Sequence, residues 1–181
     1  MAFDGFTIAA LVSEMDAKLT GGHIQKIAQP EADELLLSIK NNKTQYKLQI
    51  SASPSLPLIH LTNSPKPSPF TAPGFCMLLR KHLGGAKILS FEQVGLERVI
   101  RIQLENLNEL GDVVQKSLMV EIMGKHSNII FIDEKNMIID SIKHISNQVS
   151  SVREVLPGRT YIAPPGNCLL YTSPSPRDIS G

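Results

Sequence analysis

The chain has little cysteine, no excess of either charge and no long apolar run, and each shortage removes a class of protein. Its 181 residues include two cysteines, Cys76 in an apolar helical stretch and Cys168 in an atypical tail. These supply neither a disulfide framework nor a metal-ligand pair at useful spacing, and Cys76 reads as core filler. Eighteen basic residues against seventeen acidic ones leave a formal charge of +1, so affinity for a polyanion has to come from local clustering. No window approaches eighteen uninterrupted apolar residues, which argues against a membrane span. Met1-Ala2-Phe3-Asp4-Gly5 lacks the basic start and apolar stretch of a signal peptide, so the expected compartment is the cytoplasm. With 42% hydrophobic and 19% charged residues, the chain reads as a soluble globular domain able to bury roughly 70% of its unfolded surface.

Catalytic and metal-binding constellations are also missing from the sequence. His23, His60, His82, His126 and His144 show neither the i, i+4 nor the HxH spacing that sets two ligands on one metal. There is no GxSxG elbow, no Walker loop and no GxGxxG after a strand; Gly21-Gly22 and Gly84-Gly85 are explained as helix ends. The expectation is a non-enzyme with no metal and no cofactor.

What is present is clear periodicity. Ile8, Leu11, Val12, Met15 and Leu19 make one helical stripe over 7–19. Phe75, Leu78, Leu79 and Leu83 make a second over 73–83, with Arg80, Lys81 and His82 near its C-terminal end complementing the helix dipole. Strand-length segments occur at 24–28, 35–40, 45–50, 58–62, 87–93, 98–105, 117–123, 128–133 and 137–142. The six prolines from Ser51 to Pro73 make that stretch, with its embedded segment 58–62, a surface connection or an edge. Two helices among many short strands predict an α+β domain, its sheets folded into a sandwich or flattened barrel, with no repeat at a fixed period.

Three clusters can carry chemistry. Arg80-Lys81-His82 is either a solvated helix face or a basic contact. Gly95-Leu96-Glu97-Arg98 reads as a turn that brings Glu97 and Arg98 together at a sheet rim, where a planar guanidinium can meet a phosphate or base edge while the carboxylate holds it. Gly124-Lys125-His126-Ser127-Asn128 follows an apolar strand and resembles an anion-binding nest, with an ordinary turn as the plainer reading. Between Arg80 and Arg101 the basic residues Arg80, Lys81, Lys87, Arg98 and Arg101 against Glu92 and Glu97 leave +3, a modest patch suited to RNA backbone.

Several segments resemble a known family when taken in order: Met1-Ala2-Phe3-Asp4-Gly5-Phe6, Gly22-His23-Ile24-Gln25-Lys26-Ile27, Phe75-Cys76-Met77-Leu78-Leu79-Arg80-Lys81-His82-Leu83, Gln93-Val94-Gly95-Leu96-Glu97-Arg98, Glu121-Ile122-Met123-Gly124-Lys125-His126-Ser127-Asn128 and Asp140-Ser141-Ile142-Lys143-His144. They resemble the NFACT N-terminal domain of bacterial ribosome quality-control factors, long labelled fibronectin-binding protein A, over residues 1 to about 165. The resemblance implies a factor that binds the large ribosomal subunit still holding peptidyl-tRNA and recruits alanyl-tRNA. It supports C-terminal alanine tailing of the stalled chain, and the ribosome itself makes the peptide bonds. It implies that an acidic-Arg pair required for tRNA recruitment falls on Glu97 and Arg98, with Glu where the family usually carries Asp. Arg80, Lys81, Lys125, His126, Ser127 and Asn128 become candidate RNA-backbone contacts.

The family fold is in turn similar to the N-terminal domain of formamidopyrimidine-type DNA glycosylases, a two-sheet β-sandwich or flattened barrel flanked by helices. Those enzymes use an N-terminal proline amine followed by an acid. Ala2 and Phe3 stand there instead, so lyase chemistry is disfavoured and no DNA partner is expected. A surface fibronectin-binding adhesin is the other-class alternative. Whole family members continue into a helix-hairpin-helix module, a coiled coil and a second RNA-binding domain, so these residues read as an amino-terminal fragment. Residues 166–181 read as a non-native or disordered tail, and 168–178 resemble a translated sequencing-library adapter.

Overall fold

The structure is a computed structural model and describes residues 5–53, 58–62, 73–94, 98–123, 126–146 and 154–162. The elements run α1 (Gly5–Leu19), β1 (His23–Glu31), β2 (Glu34–Asn41), β3 (Thr44–Ser51), β4 (Leu58–Leu61), α2 (Gly74–Leu83), β5 (Lys87–Gln93), β6 (Val99–Leu107), β7 (Val113–Glu121), β8 (Asn128–Ile132) and β9 (Ile138–Ser141). Both helices lie where the apolar spacing puts them, burying Ile8, Val12, Met15 and Leu19 from α1 and Phe75, Cys76, Leu79 and Leu83 from α2. Among the described residues no helix is long and apolar enough to cross a membrane.

The α+β class holds, but the two-sheet expectation needs correcting. The strands form one nine-stranded antiparallel sheet in the order β4-β3-β2-β1-β5-β6-β7-β8-β9, with the proline-flanked β4 at an edge. Its middle is thin: β1 and β5 share one register pair, His23 with Lys87. Around that pair Gly21 N–H donates to Ile88 O and Ile88 N–H to Gly22 O, both at 2.8 Å. Gly85 and Ile24 answer symmetrically, Gly85 N–H donating to Ile24 O and Ile24 N–H to Ala86 O, both at 2.9 Å. Both glycine pairs that end the helices therefore meet here. Gly21 and Gly85 have φ of 91° and 81°, a left-handed backbone that a Cβ disfavours.

Through the helix and the strand that follows it, position n in the first half corresponds to n+64 in the second, and from β2 to β6, one residue further along, to n+65. Leu19 maps to Leu83, Gly21 to Gly85 and Ile24 to Ile88. The register shift between Ile24 and Lys26 recurs between Ile88 and Ser90. Asn41 caps the end of α1 by donating to Lys18 O at 2.7 Å and Thr20 O at 3.3 Å. Asn106 caps α2 by donating to His82 O at 2.8 Å and Gly84 O at 3.5 Å. The fold is a pseudo-twofold pair of helix-plus-strands halves, a repeat that the sequence reading does not detect.

Past the junction β1 and β5 no longer pair, and backbone groups on their facing edges need other partners. Each helix crosses to the opposite half to supply one, α1 packing chiefly on β5 and α2 on β1. Asp16 Oδ1 accepts from Phe91 N–H at 3.0 Å, and Arg80 Nε donates to Ile27 O at 2.8 Å. These are corresponding positions with reversed polarity. One core gathers the inner faces of both halves, from Ile24, Ile39 and Leu48 to Ile102, Leu118 and Phe131. At the far end Lys143 Nζ donates to Ala52 O at 2.6 Å, tying the β9 side back to the end of β3. On the outer face, residues 154–162 cover a smaller core of Val99, Met119, Ile130, Ile132, Ile138 and Val155.

Candidate functional site

Three adjacent strands bring two of the three sequence clusters to one end of the sheet. Arg98 immediately precedes β6, half-buried, and its carbonyl accepts from Ile122 N–H at 2.9 Å at the end of β7. Val94 N–H donates to Val99 O at 2.9 Å and closes the β5–β6 connection. Val99 pairs with Glu121, and Glu121 pairs with Asn128 at the start of β8. The described flanks of the two segments, Val94 and Arg98 on one and Met123 and His126 on the other, therefore stand at one end of neighbouring strands. Gly95, Leu96, Glu97, Gly124 and Lys125 lie outside the described residues.

Within this end the polar groups divide by burial. His126 is exposed. Ser127 and Asn128, expected as RNA-backbone contacts, are instead buried and engaged inside the protein. Ser127 Oγ accepts from Met123 N–H at 2.8 Å. Asn128 Oδ1 accepts from Ile129 N–H at 2.8 Å and Lys143 N–H at 3.1 Å, while its Nδ2 donates to Lys143 O at 3.0 Å. A buried amide that satisfies three backbone groups is a frame member, because exposing it to a ligand would leave them unpaired. The same segment holds Asp140 against His144 at 2.6 Å and Ser141 Oγ donating to Lys143 O at 2.7 Å, which gives the Asp140–His144 motif a structural role. Burial pushes the Lys143 ammonium below its usual value, against the opposing pull of Asp33.

Glu121 escapes sequence reasoning because it sits in an apolar strand where alternation alone would make it a surface residue. It is buried and its Oε2 accepts from Tyr161 OH at 2.7 Å, so the covering segment 154–162 is pinned to the strand beside Arg98. An acid flanked by Val120 and Ile122 is the only signal that points to it.

Arg80 and Lys81 do not join this end. Their helix terminates against Asn106, near the other end of β6, about 26 Å from Arg98 at strand rise. The +3 patch summed along the sequence is thus divided between two ends. Arg80 is further committed by its bond to Ile27 O, and Cys76, buried beneath it with Sγ 3.6 Å from the same carbonyl, has its thiol pushed up by burial, against the lowering effect of Arg80. Lys81 is exposed. Arg101 donates to Asn136 Oδ1 at 3.2 Å on the outer face. Among the described residues no three His, Cys, Asp or Glu side chains gather as metal ligands.

Residues 4–175 match the family described as NFACT N-terminal and middle domains. Over 166 residues the chain is 45% identical to the Rqc2 homolog RqcH of Streptococcus pneumoniae, covering 91% of this chain and 30% of that protein. The Rqc2 homolog RqcH of Bacillus subtilis is 43% identical over the same share of this chain and 29% of its own length. The chain therefore spans about 30% of the length of the curated relatives it matches. Among solved structures, the N-terminal domain of fibronectin-binding protein PavA from Streptococcus pneumoniae superposes with a TM-score of 0.87 at 45% identity, over 91% of this chain and 62% of that one. A family match over residues 4–175, together with 45% identity over 91% of the chain, settles the kinship: this chain belongs to the NFACT family and carries its N-terminal domain.

Proposed function

We propose that this domain is the tRNA-recruiting part of a cytoplasmic ribosome quality-control factor. It holds alanyl-tRNA beside a large ribosomal subunit that still carries peptidyl-tRNA, so that stalled chains receive C-terminal alanine tails. The observation that carries the reading is the shared sheet end: Arg98 just before β6 and His126 just before β8, the described members of the two segments singled out for their chemistry, stand at the same end of neighbouring strands. In this role Arg98 meets tRNA with its planar fork and Glu97 orients it or accepts from a ribose hydroxyl or base amine. Lys125 and His126 flank the contact, while Ser127 and Asn128 hold the turn in place. The domain positions its ligand and makes no bonds. The names of the RqcH relatives support the quality-control context. The helix-flanked antiparallel sheet, its two halves sharing one core, supports the finer likeness to the N-terminal domain of formamidopyrimidine-type glycosylases.

The test is Arg98→Ala in the full-length factor. A single charge-assisted contact contributes about 1.5–3 kcal/mol, so alanine tailing should fall by one to two orders of magnitude while co-sedimentation with large subunits stays near normal. Unchanged tails would remove Arg98 from the site. The similarity to PavA favours one rival reading, a fibronectin-binding surface protein. Cell fractionation separates the two, because protease-accessible protein at the cell surface supports the adhesin and ribosome co-sedimentation supports the reading above.

A further inference from the structure

The pseudo-twofold provides an internal control, since whatever the second half adds beyond the first is not needed to build the fold. The two halves close their second hairpins differently. In the first, Asn41 pairs with Thr44 and the turn is Asn42-Lys43. In the second, Asn106 pairs with Val114 and Leu107 with Val113, and the longer loop between them exposes large apolar side chains: Leu107 is 61% exposed, Leu110 85% and Val113 60%.

Charge departs from symmetry at the same place. Lys18 forms a 2.8 Å ion pair with Glu14. The corresponding positions are His82 and Leu78, so the second helix has lost that carboxylate. Tyr46, two residues past the Asn41 partner, corresponds to Lys116, and Ala17 to Lys81. In place of that ion pair and Tyr46 the second half carries two ammonium groups, Lys81 and Lys116, while the first keeps Lys43 in its turn and the second's loop adds Glu109 and Asp112. Neither Lys81 nor Lys116 has an ion pair or hydrogen bond among the described residues. Asn106 already caps the helix carbonyls, so the lysines are not occupied in that task either. Between α2 and the long hairpin lies an open groove of about 500 Å³ lined by Lys81, His82, Leu107, Glu109, Leu110 and Lys116, with Asn108. The partly exposed His82 ring leans on Phe131 at 5.8 Å between centroids.

We propose that this groove is a second RNA contact, taking one phosphate between Lys81 and Lys116 and laying the adjoining base against His82 and Leu110. The inference rests on the RNA-recruiting reading above and concerns the opposite end of β6. A phosphate accepts from donors on two walls at once, and Lys81 on α2 and Lys116 on β7 supply those walls. Imidazole and leucine offer a base a flat, sequence-tolerant surface. Glu109 leaves the lining only one positive charge in excess, enough for a single phosphate and a poor match to a highly charged duplex.

The experiment measures binding of this 181-residue chain to an alanine-accepting tRNA transcript across a salt series, for the unaltered chain, Lys81→Gln/Lys116→Gln, Leu110→Ser and Arg98→Ala. The double lysine variant should bind several-fold more weakly, with the slope of log K against log salt shallower by about 0.7–0.9, the increment of one phosphate. Leu110→Ser should weaken binding and leave the slope unchanged. Thermal unfolding should be nearly unaltered in both, because among the described residues neither lysine holds a hydrogen bond or ion pair and Leu110 is 85% exposed. If Arg98→Ala weakens binding and the lysine variant changes neither affinity nor slope, the groove proposal fails and the recruiting site stands. A lysine variant that weakens binding without changing the slope would show that no phosphate contact was removed and overturn the proposal. Absence of any tRNA binding by the unaltered chain would overturn both.

Discussion

The two halves of the domain solve the same structural problem with opposite chemistry. Where β1 and β5 separate, the first half offers a carboxylate, Asp16, to an amide, and the second offers a guanidinium, Arg80, to a carbonyl. Elsewhere the halves diverge in purpose. The first ends its helix in a neutral Lys18–Glu14 pair and a short turn, while the second ends in lysines that have no ion pair among the described residues and in a long apolar hairpin. What both halves share belongs to the architecture. What only the second has can be lost without loss of the fold, which is where binding chemistry is expected.

The comparison can be broken most severely in the core. Leu19 and Leu83 are equivalent and fully buried, so Leu19→Ala and Leu83→Ala should each cost about 2–5 kcal/mol in chemical denaturation. Similar losses are expected; a large disparity would show that the halves do not share one packing scheme. The clasps come next. Asp16→Ala strands the Phe91 amide and also loses the Thr20 hydroxyl at 2.8 Å, for about 1–3 kcal/mol. Arg80→Ala, at a more exposed position, should cost about 1 kcal/mol or less. The reverse ranking would contradict the reading of Arg80 as the lighter clasp.

Much of this was legible in the sequence. The apolar period placed both helices and the strand segments, the prolines marked β4 as an edge, and glycine pairs marked the helix ends, because those signals depend on local sterics and on alternating faces. The duplication was not legible. It resides in backbone hydrogen bonds, left-handed glycines and asparagine caps, and Asp16 with Arg80 perform one task with no chemical likeness. The candidate turns could be picked out by composition, but Ser127 and Asn128 have the same letters whether they face water or the interior. Only their burial and internal hydrogen bonds in the folded chain show that they are committed to the interior. The charge sum over 80–101 misled for a related reason, since a strand of nine residues carries its two ends far apart.

A subtler difference between the halves is their response to acid. Burial, helped by Lys116 and Lys81 and opposed by Glu109, holds the His82 imidazole below its ordinary value of 6.5. A histidine kept neutral by the fold takes up its proton more readily in the unfolded chain. Its contribution is therefore complete above about 6.5 and declines as pH falls through that value toward the folded one. The unfolding midpoint should drop on that limb, and His82→Gln should flatten the drop; parallel profiles for the two proteins would exclude His82 as its source. The smallest effect is expected from the tail, which lies outside the described residues: deleting 168–181 should leave the unfolding midpoint where it is, and a marked fall would assign those residues to the domain.

Because each helix lies mainly over the other half's first strand, neither half can cover its own apolar surface. A polypeptide severed in the proline-rich stretch between β3 and α2 should yield two pieces that are insoluble or unstructured apart and that assemble on mixing. During synthesis the leading half must wait, its α1 stripe unmatched, until β5 emerges, and this makes the domain an all-or-none unit despite its two-part plan.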